Sequence, residues 1–175
     1  MPVLNERDYL ETAVTTVLAQ RIDEPVELIL ALGPSRDGTT ELAERLAAAD
    51  PRIRLVDNPA ADIPVGLNRA IGAARYPTVV RVDAHSELDP DYTARAVATL
   101  TRMRAANVGG VMRAAGRTPF QRAVATAYNS RVGLGGGAYH GGAPEGPAES
   151  ASLGVMRRAV LDEIIAKADR EAVEG

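Results

Sequence analysis

An aspartate and a histidine stand two residues apart in this sequence, at Asp83 and His85, where the apolar run Thr78–Asp83 ends. In a strand, side chains two positions apart point to the same side, so a carboxylate oxygen and an imidazole nitrogen can face one divalent cation. The competing interpretation is that Asp83 caps a turn and His85 is solvated, because two ligands alone do not define a metal site.

The elements that must position this pair alternate regularly along the chain. Short runs rich in β-branched residues predict strands at Val26–Leu32, Ile53–Val56, Thr78–Asp83 and Asn107–Met112. Helical periods between them imply right-handed crossovers and a mainly parallel sheet with helices on both faces, an α/β fold. Such sheets bind ligands beyond the carboxyl ends of their strands, which is where Asp83 and His85 lie, and this favours the metal interpretation.

The helices are predicted from apolar residues at i, i+3, i+4 and i+7 spacing. The second helix can be capped by Thr39 or Thr40. A later helix, which opens after Asp89-Pro90, is predicted to bury Ala96, Leu100 and Met103. The helices are therefore expected to pack against the sheet through these apolar faces.

Composition narrows the classes of function. The chain has 175 residues, which suits one domain, with 46% hydrophobic and 25% charged residues. Lys+Arg 20 against Asp+Glu 23 gives a net charge of -3, so nucleic acid is not an expected partner. Zero cysteines exclude disulfides and thiolate metal sites, and no stretch is apolar for long enough to span a membrane. A cytoplasmic location is the expectation.

The regular alternation fades after Arg113. The Gly/Pro-rich segment Gly133–Pro147 predicts a mobile loop, which can act as a lid that brings Tyr139 and His140 to a ligand or can be a disordered spacer. "MPVLNE" begins where a first buried strand should be ending, and the chain closes on a charged helix. We therefore expect residues 1–175 to form a single domain that is incomplete.

Four segments in order resemble the family 2 glycosyltransferases with the GT-A fold. They are "PVLNE" at Pro2–Glu6, "RDGT" at Arg36–Thr39, "GLNRAIGAA" at Gly66–Ala74 and "VDAH" at Val82–His85. Two later segments are similar to the bacterial exopolysaccharide branch of succinoglycan type, at Thr118–His140 and Ser152–Arg158. The resemblance implies a GT-A sheet of the nucleotide-diphospho-sugar transferase type and an inverting transfer of sugar from a nucleotide diphosphate donor to an acceptor hydroxyl.

The resemblance also implies roles for single residues. The candidate donor-binding residues are Pro2, Asn5, Glu6, Asn68, Arg69 and Asp83. Asp83 and His85 are the candidate ligands of Mn²⁺ or Mg²⁺, although the family motif is commonly Asp-x-Asp and His85 replaces its second aspartate. Asn5 and Glu6 could instead simply start the first helix, and Arg69 could be solvated on a helix surface.

The sequence departs from the family pattern at two further points. Leu32 and Gly33 stand where family members usually carry an acidic pair that contacts the nucleobase, so base recognition by that contact does not carry over. The acidic motif that usually supplies the catalytic base has no match. Asp162-Glu163 is expected on a solvated helix face, which leaves Glu149 as a weak candidate for the base.

These observations support an enzyme of envelope or exopolysaccharide synthesis, with a growing or lipid-linked glycan as acceptor. An arginine series could meet a membrane surface, at the inner face of the cell membrane, or could form a solvated face; its members are Arg113, Arg117, Arg122 and Arg131. Two alternatives stay open: a non-catalytic nucleotide-binding remnant of such an enzyme, and a metal-dependent nucleotidyltransferase.

Overall fold

Strands and helices alternate in the computed structural model, which describes residues 1–130, 145–148 and 151–174. The strands are β1 (Pro2–Val3), β2 (Leu28–Leu32), β3 (Ile53–Asp57), β4 (Thr78–Val80), β5 (Asn107–Gly110) and β6 (Ser152–Arg157). The helices are α1 (Arg7–Leu18), α2 (Thr39–Ala49), α3 (Ile63–Ala73), α4 (Tyr92–Arg102), α5 (Pro119–Tyr128) and α6 (Arg158–Glu174). The predicted α/β class is confirmed.

The first three strands form a parallel sheet in the order β1-β2-β3. Ala31 of β2 is the register partner of both Pro2 in β1 and Val56 in β3. Helices connect these strands, as parallel neighbours require. Because all three strands run in one direction, the loops that follow them meet at one edge of the sheet, which we name the carboxyl edge.

The remaining strands form a second sheet in the order β4-β6-β5. In this sheet β6 runs antiparallel to both neighbours, with Val155 opposite Val80 on one side and Val108 on the other. Sequence periodicity carries no information on the direction of such a strand. Its pairing is set by contacts between segments that lie far apart in the chain.

The core lies on both faces of the parallel sheet. Side chains alternate along β2, so Leu28 and Leu30 join one cluster with α1 and α2, whereas Ile29 and Ala31 join another with Ala70 of α3. Ala96 and Leu100 of α4 are buried as predicted. The prediction for Met103 was wrong: it is 55% exposed, because α4 ends at Arg102 and Met103 is its C-cap.

Parts of the predicted loop lie outside the described residues. Tyr139 and His140 of the loop lie outside the described residues, and so does the candidate base Glu149. Within the described part, Glu145 forms an ion pair with Arg102 at the end of α4. The predictions of a single domain and of a mobile loop at Gly133–Pro147 stay predictions.

Candidate functional site

Asn5 ties the loop after β1 to the loop after β2 at the carboxyl edge. Its backbone φ is +54°, a left-handed conformation that asparagine tolerates better than most residues. Its N–H donates to Ser35 Oγ at 3.0 Å, and its Oδ1 accepts the N–H of Arg36 at 2.9 Å. The side-chain oxygen of Asn5 therefore holds the loop, so its amide NH₂ is the group left for a ligand.

Thr39 and Asp37 complete this junction of the two loops. The buried Thr39 hydroxyl accepts the N–H of Glu6 at 2.8 Å and donates to Asp37 Oδ1 at 2.6 Å. Asp37 Oδ2 accepts the N–H of Arg7 at 3.2 Å. The Thr39 hydroxyl, followed by the backbone N–H groups around it, holds the pKa of Asp37 below its usual range. Glu6 is thereby fixed at the start of α1.

The predicted capping role of Thr39 is wrong in a specific way. Gly38 is the N-cap of α2, with φ of +89° that favours glycine, and Thr39 is the first helical residue. Its hydroxyl bridges two loops instead of capping its own helix. The position of Thr39 in "RDGT" therefore has a structural explanation at the junction that carries Asn5 and Glu6.

Replacing Thr39 with valine should destabilise the protein by about 1–3 kcal/mol, because the partly buried N–H of Glu6 loses its acceptor. Thr39→Ser keeps the hydroxyl and serves as the matched control, with a smaller loss expected from the missing methyl group. Urea unfolding of both variants measures the difference. Equal stabilities of the valine and serine variants would show that the hydroxyl does not hold the junction.

Glu6 and His85 join the loop after β4 to the same edge. His85 Nδ1 lies 2.8 Å from Glu6 Oε1, although 79 residues separate them in sequence. The His85 side chain is 59% exposed and that of Glu6 is 21% exposed. A hydrogen on Nδ1 satisfies the Glu6 carboxylate and leaves the Nε2 lone pair for a ligand, an arrangement typical of metal-binding histidines.

Asp83 opens a turn beyond β4. The N–H of Ser86 donates to the Asp83 backbone oxygen at 2.9 Å, so His85 lies within the turn. The predicted strand, Thr78–Asp83, in fact ends at Val80. The argument that two residues of one strand point to the same side therefore does not apply to Asp83 and His85. Their use as joint ligands depends on the turn instead.

The Asp83 carboxylate has one oxygen engaged. Asp83 Oδ1 accepts from Nε and Nη2 of Arg81, each at 3.2 Å, and the Asp83 side chain is 34% exposed. Among the described residues, no group of three or more His, Cys, Asp or Glu side chains is arranged to hold a metal ion. The oxygen and nitrogen that Asp83 and His85 offer suit Mn²⁺ or Mg²⁺ in a shell completed by the phosphates of a ligand.

Asn68 and Arg69 lie on α3 and are exposed. Arg69 Nη1 donates to the backbone oxygen of Asp57 at 3.2 Å, where β3 ends, so Arg69 reaches the carboxyl edge. In the described part of the chain, no hydrogen bond or ion pair joins Arg69 to Asp83. Pro2 lies within β1 as the register partner of Ala31, which gives it a structural place in the sheet.

Comparison with known proteins identifies the family. The family model described as glycosyl transferase family 2 matches residues 1–165. This chain belongs to glycosyl transferase family 2. Succinoglycan biosynthesis protein ExoA of Rhizobium meliloti (strain 1021) is 34% identical to it over 159 residues, 90% of this chain and 48% of that protein. The chain thus spans about half the length of ExoA, and the predicted resemblance to this branch of glycosyltransferases is confirmed.

More distant proteins are also similar to this chain. Chondroitin synthase of Pasteurella multocida is 26% identical over 91 residues, 52% of this chain and 9% of that protein. A crystal structure of S. aureus TarS 1–349 in complex with UDP gives a TM-score of 0.63 at 14% identity, covering 93% of this chain and 46% of that chain. At this identity the likeness supports the fold, and the predicted glycosyltransferase type of fold is confirmed.

Two arginines of the basic series, Arg117 and Arg122, make structural contacts in this family 2 chain. The Arg117 guanidinium lies over the Tyr9 ring, 4.3 Å from its centroid, and donates to the Asp8 backbone oxygen at 2.7 Å. Arg122 Nη1 donates to the backbone oxygen of Arg117 at 2.8 Å. These contacts hold the start of α5 against α1.

No helix in the described part of the chain is long and apolar enough to cross a membrane.

Proposed function

We propose that this chain forms the donor-binding part of an inverting glycosyltransferase that takes a nucleotide diphosphate sugar. The Glu6–His85 contact carries the proposal, because it brings the segment after β1 and the segment after β4 together at the carboxyl edge. Both segments belong to the motifs on which the family resemblance rests. The family match over residues 1–165 supports the same reading.

The proposed metal would be held by Asp83 and His85. Mn²⁺ or Mg²⁺ bound there would offset the negative charge that develops on the diphosphate leaving group. Glu6 would position His85 by accepting a hydrogen bond from Nδ1, which leaves Nε2 as the ligand atom. Arg69 and the amide of Asn68 are proposed to contact the donor phosphates, as the exposed groups of α3.

The acceptor side is proposed from the comparison with ExoA. Its name, succinoglycan biosynthesis protein, supports a role in exopolysaccharide synthesis with a growing or lipid-linked glycan as acceptor. Because of that acceptor, we also propose that the protein acts at the inner face of the cell membrane, in peripheral association with it. Glu149 stays the candidate for the base that removes the acceptor proton.

A second candidate, binding of a nucleotide without turnover, has one observation in its favour. The acidic pair Asp162-Glu163 lies within α6, and Asp162 is 3.6 Å from Arg158 in an i,i+4 ion pair at the surface. This pair is therefore a poor substitute for a base that must face an acceptor hydroxyl. The described residues supply parts of a donor site more clearly than they supply the base.

Calorimetric titration with UDP and GDP, with and without Mn²⁺, tests the proposal. We expect one of the two nucleotides to bind and Mn²⁺ to strengthen that binding by at least 10-fold. Sugar release or transfer from the corresponding nucleotide sugar then separates an enzyme from a remnant. Pyrophosphate release from a nucleoside triphosphate would point to a nucleotidyltransferase, and the absence of any nucleotide binding would reject the proposal.

His85→Ala should weaken Mn²⁺-dependent nucleotide binding by about 10–100-fold and reduce the preference for Mn²⁺ over Mg²⁺, because a nitrogen ligand favours manganese. Ser86→Ala changes the adjacent turn residue and is the matched control. Parallel titrations with the two metals measure the preference. Unchanged affinity and preference in His85→Ala would place His85 outside the coordination shell.

A further inference from the structure

Arg81 stands directly before the segment "VDAH" and contacts the candidate metal site. Its Nε and Nη2 both donate to Asp83 Oδ1, each at 3.2 Å. The guanidinium therefore lies against one of the two side chains that are proposed to hold the cation. Arg81 belongs to none of the segments that carry the family resemblance, so no role has been assigned to it so far.

The backbone fixes the point from which the Arg81 side chain extends. β4 ends at Val80, and the N–H of Arg81 donates to the Gly154 oxygen of β6 at 2.9 Å. The Arg81 side chain is 42% exposed, and an ion pair this accessible to water is held weakly. The guanidinium can thus change partners while its backbone stays in place.

Arg81 and Asp83 each keep a group free for a ligand. Across the residues that the structure describes, no hydrogen bond engages Nη1 of Arg81 or Oδ2 of Asp83. Nη1 donates hydrogen bonds of the kind with which arginine binds phosphate oxygens. Asp83 Oδ2 is the carboxylate oxygen left for a hard cation.

The same pair sets the charge that a cation meets when it arrives alone. The formal charges of Arg81 and Asp83 cancel, and the Glu6 carboxylate is already in contact with His85 Nδ1 at 2.8 Å. A divalent cation on Asp83 would lie close to the guanidinium, and like charges at such short range repel. The described residues hold no cluster of three or more His, Cys, Asp or Glu side chains for a metal ion. Arg81 is therefore expected to weaken binding of the cation alone.

We propose that Arg81 is a positioning residue that couples the cation to the nucleotide by changing partners. Without nucleotide it stays on Asp83, where its charge weakens the binding of Mn²⁺. When a diphosphate binds, the guanidinium moves to a phosphate oxygen and leaves the Asp83 carboxylate to the cation. Each ligand then strengthens the binding of the other by the same factor. This inference rests on the proposed function, because the phosphate oxygens are those of the nucleotide diphosphate donor.

Arg81→Gln tests this coupling, because glutamine can still donate to Asp83 but carries no charge. We expect the affinity of this variant for Mn²⁺ alone to rise by about 10-fold, measured without nucleotide from the EPR signal of free Mn²⁺. The enhancement by Mn²⁺ of binding of UDP or GDP, whichever binds, should fall by about the same factor in calorimetric titrations. The reason is that no charge on residue 81 then separates the nucleotide-free state from the nucleotide-bound state.

Three further variants locate the effect. Arg81→Lys keeps the positive charge, and its affinity for Mn²⁺ alone should stay within about threefold of wild type. Arg95→Gln removes another exposed arginine that pairs with an aspartate, Asp91, and should change neither quantity. The double variant Arg81→Gln and Asp83→Asn should lose the gain in Mn²⁺ affinity, which assigns that gain to the Asp83 carboxylate.

Two results would overturn the proposal while nucleotide binding by the wild-type chain still supports the proposed function. Unchanged or weaker binding of Mn²⁺ alone by Arg81→Gln would show that the arginine does not hold the cation off. An undiminished enhancement of nucleotide binding by Mn²⁺ in this variant would show that no exchange of partners takes place. If neither UDP nor GDP binds the wild-type chain, the proposed function and this coupling are rejected together.

Discussion

Asp83→Asn is expected to remove the enhancement of nucleoside diphosphate binding by Mn²⁺, with a loss of at least 100-fold in metal-dependent affinity. The substitution removes the charge of the ligand but keeps the shape and an oxygen that can accept from Arg81, whose Nε and Nη2 lie 3.2 Å from Asp83 Oδ1. Loss of a carboxylate ligand weakens binding of a hard cation directly, because an amide oxygen carries no net charge.

Glu87→Gln is the matched control for this experiment. It removes one negative charge from an exposed residue of the same segment, four positions further along the chain. Titration of wild type and both variants with the nucleotide, in Mn²⁺ and in its absence, separates a local charge effect from coordination. If Mn²⁺ still strengthens nucleotide binding in Asp83→Asn, Asp83 is not a metal ligand, regardless of the result for His85→Ala.

The Asp83→Asn variant should fold, because the Asp83–Arg81 pair contributes little to stability: the Asp83 side chain is 34% exposed and that of Arg81 is 42% exposed. Thermal unfolding checks this directly. A variant with wild-type Tm and lost manganese dependence would locate the effect at the ligand. Nucleotide affinity measured without metal should stay within a factor of about two to three, because the other donor contacts of the carboxyl edge remain.

The fold was predictable because local patterns and the final packing agree. The alternation of apolar runs with helical periods indicates an α/β class, and Ala96 and Leu100 are buried where periodicity places them. The direction of β6 was not predictable, since its partners in β4 and β5 lie more than 40 residues away in sequence. No local pattern distinguishes the two directions of a short apolar strand.

The site was predictable only in part. Asp83 and His85 could be singled out from their types and spacing, but the strand argument for them failed because the backbone turns at Asp83. The contact of His85 with Glu6 spans 79 residues and leaves no periodic signal. The one signal in the sequence that points to it is the family resemblance, which places both "PVLNE" and "VDAH" among the candidate donor-binding segments.

The buried amine of Met1 predicts a second large effect, on the pH dependence of stability. Burial, partly offset by the charge of Asp83 and reinforced by that of Arg81, lowers the pKa of this group from 8.0 to about 5. Between these two values the unfolded chain binds a proton that the folded chain does not. Unfolding then takes up a proton, so the free energy of unfolding should rise as the pH rises from about 5 to about 8. The destabilisation that results from burying the Met1 amine is fully present below pH 5.

The size of the effect follows from the shift of about three units, which corresponds to up to about 4 kcal/mol over this range. Urea unfolding of the chain at pH 5.5, 6.5, 7.5 and 8.5 measures it, with Met1 confirmed by intact mass. A chain with Gly-Ser-Gly-Ser added directly before Met1 is the matched control, because the same nitrogen is then an amide that does not titrate. In that extended chain the free energy of unfolding should lose most of its rise of up to about 4 kcal/mol over this pH range.

A second control, His85→Ala, tests whether the pH dependence comes from the Met1 amine and not from the Glu6–His85 pair. Measuring the same profile in His85→Ala removes the imidazole of the Glu6 pair and leaves the Met1 amine untouched. The rise in stability from pH 5.5 to 8.5 should persist in that variant and disappear in the extended chain. A rise that persists in the extended chain would show that the Met1 amine is not the source of the pH dependence.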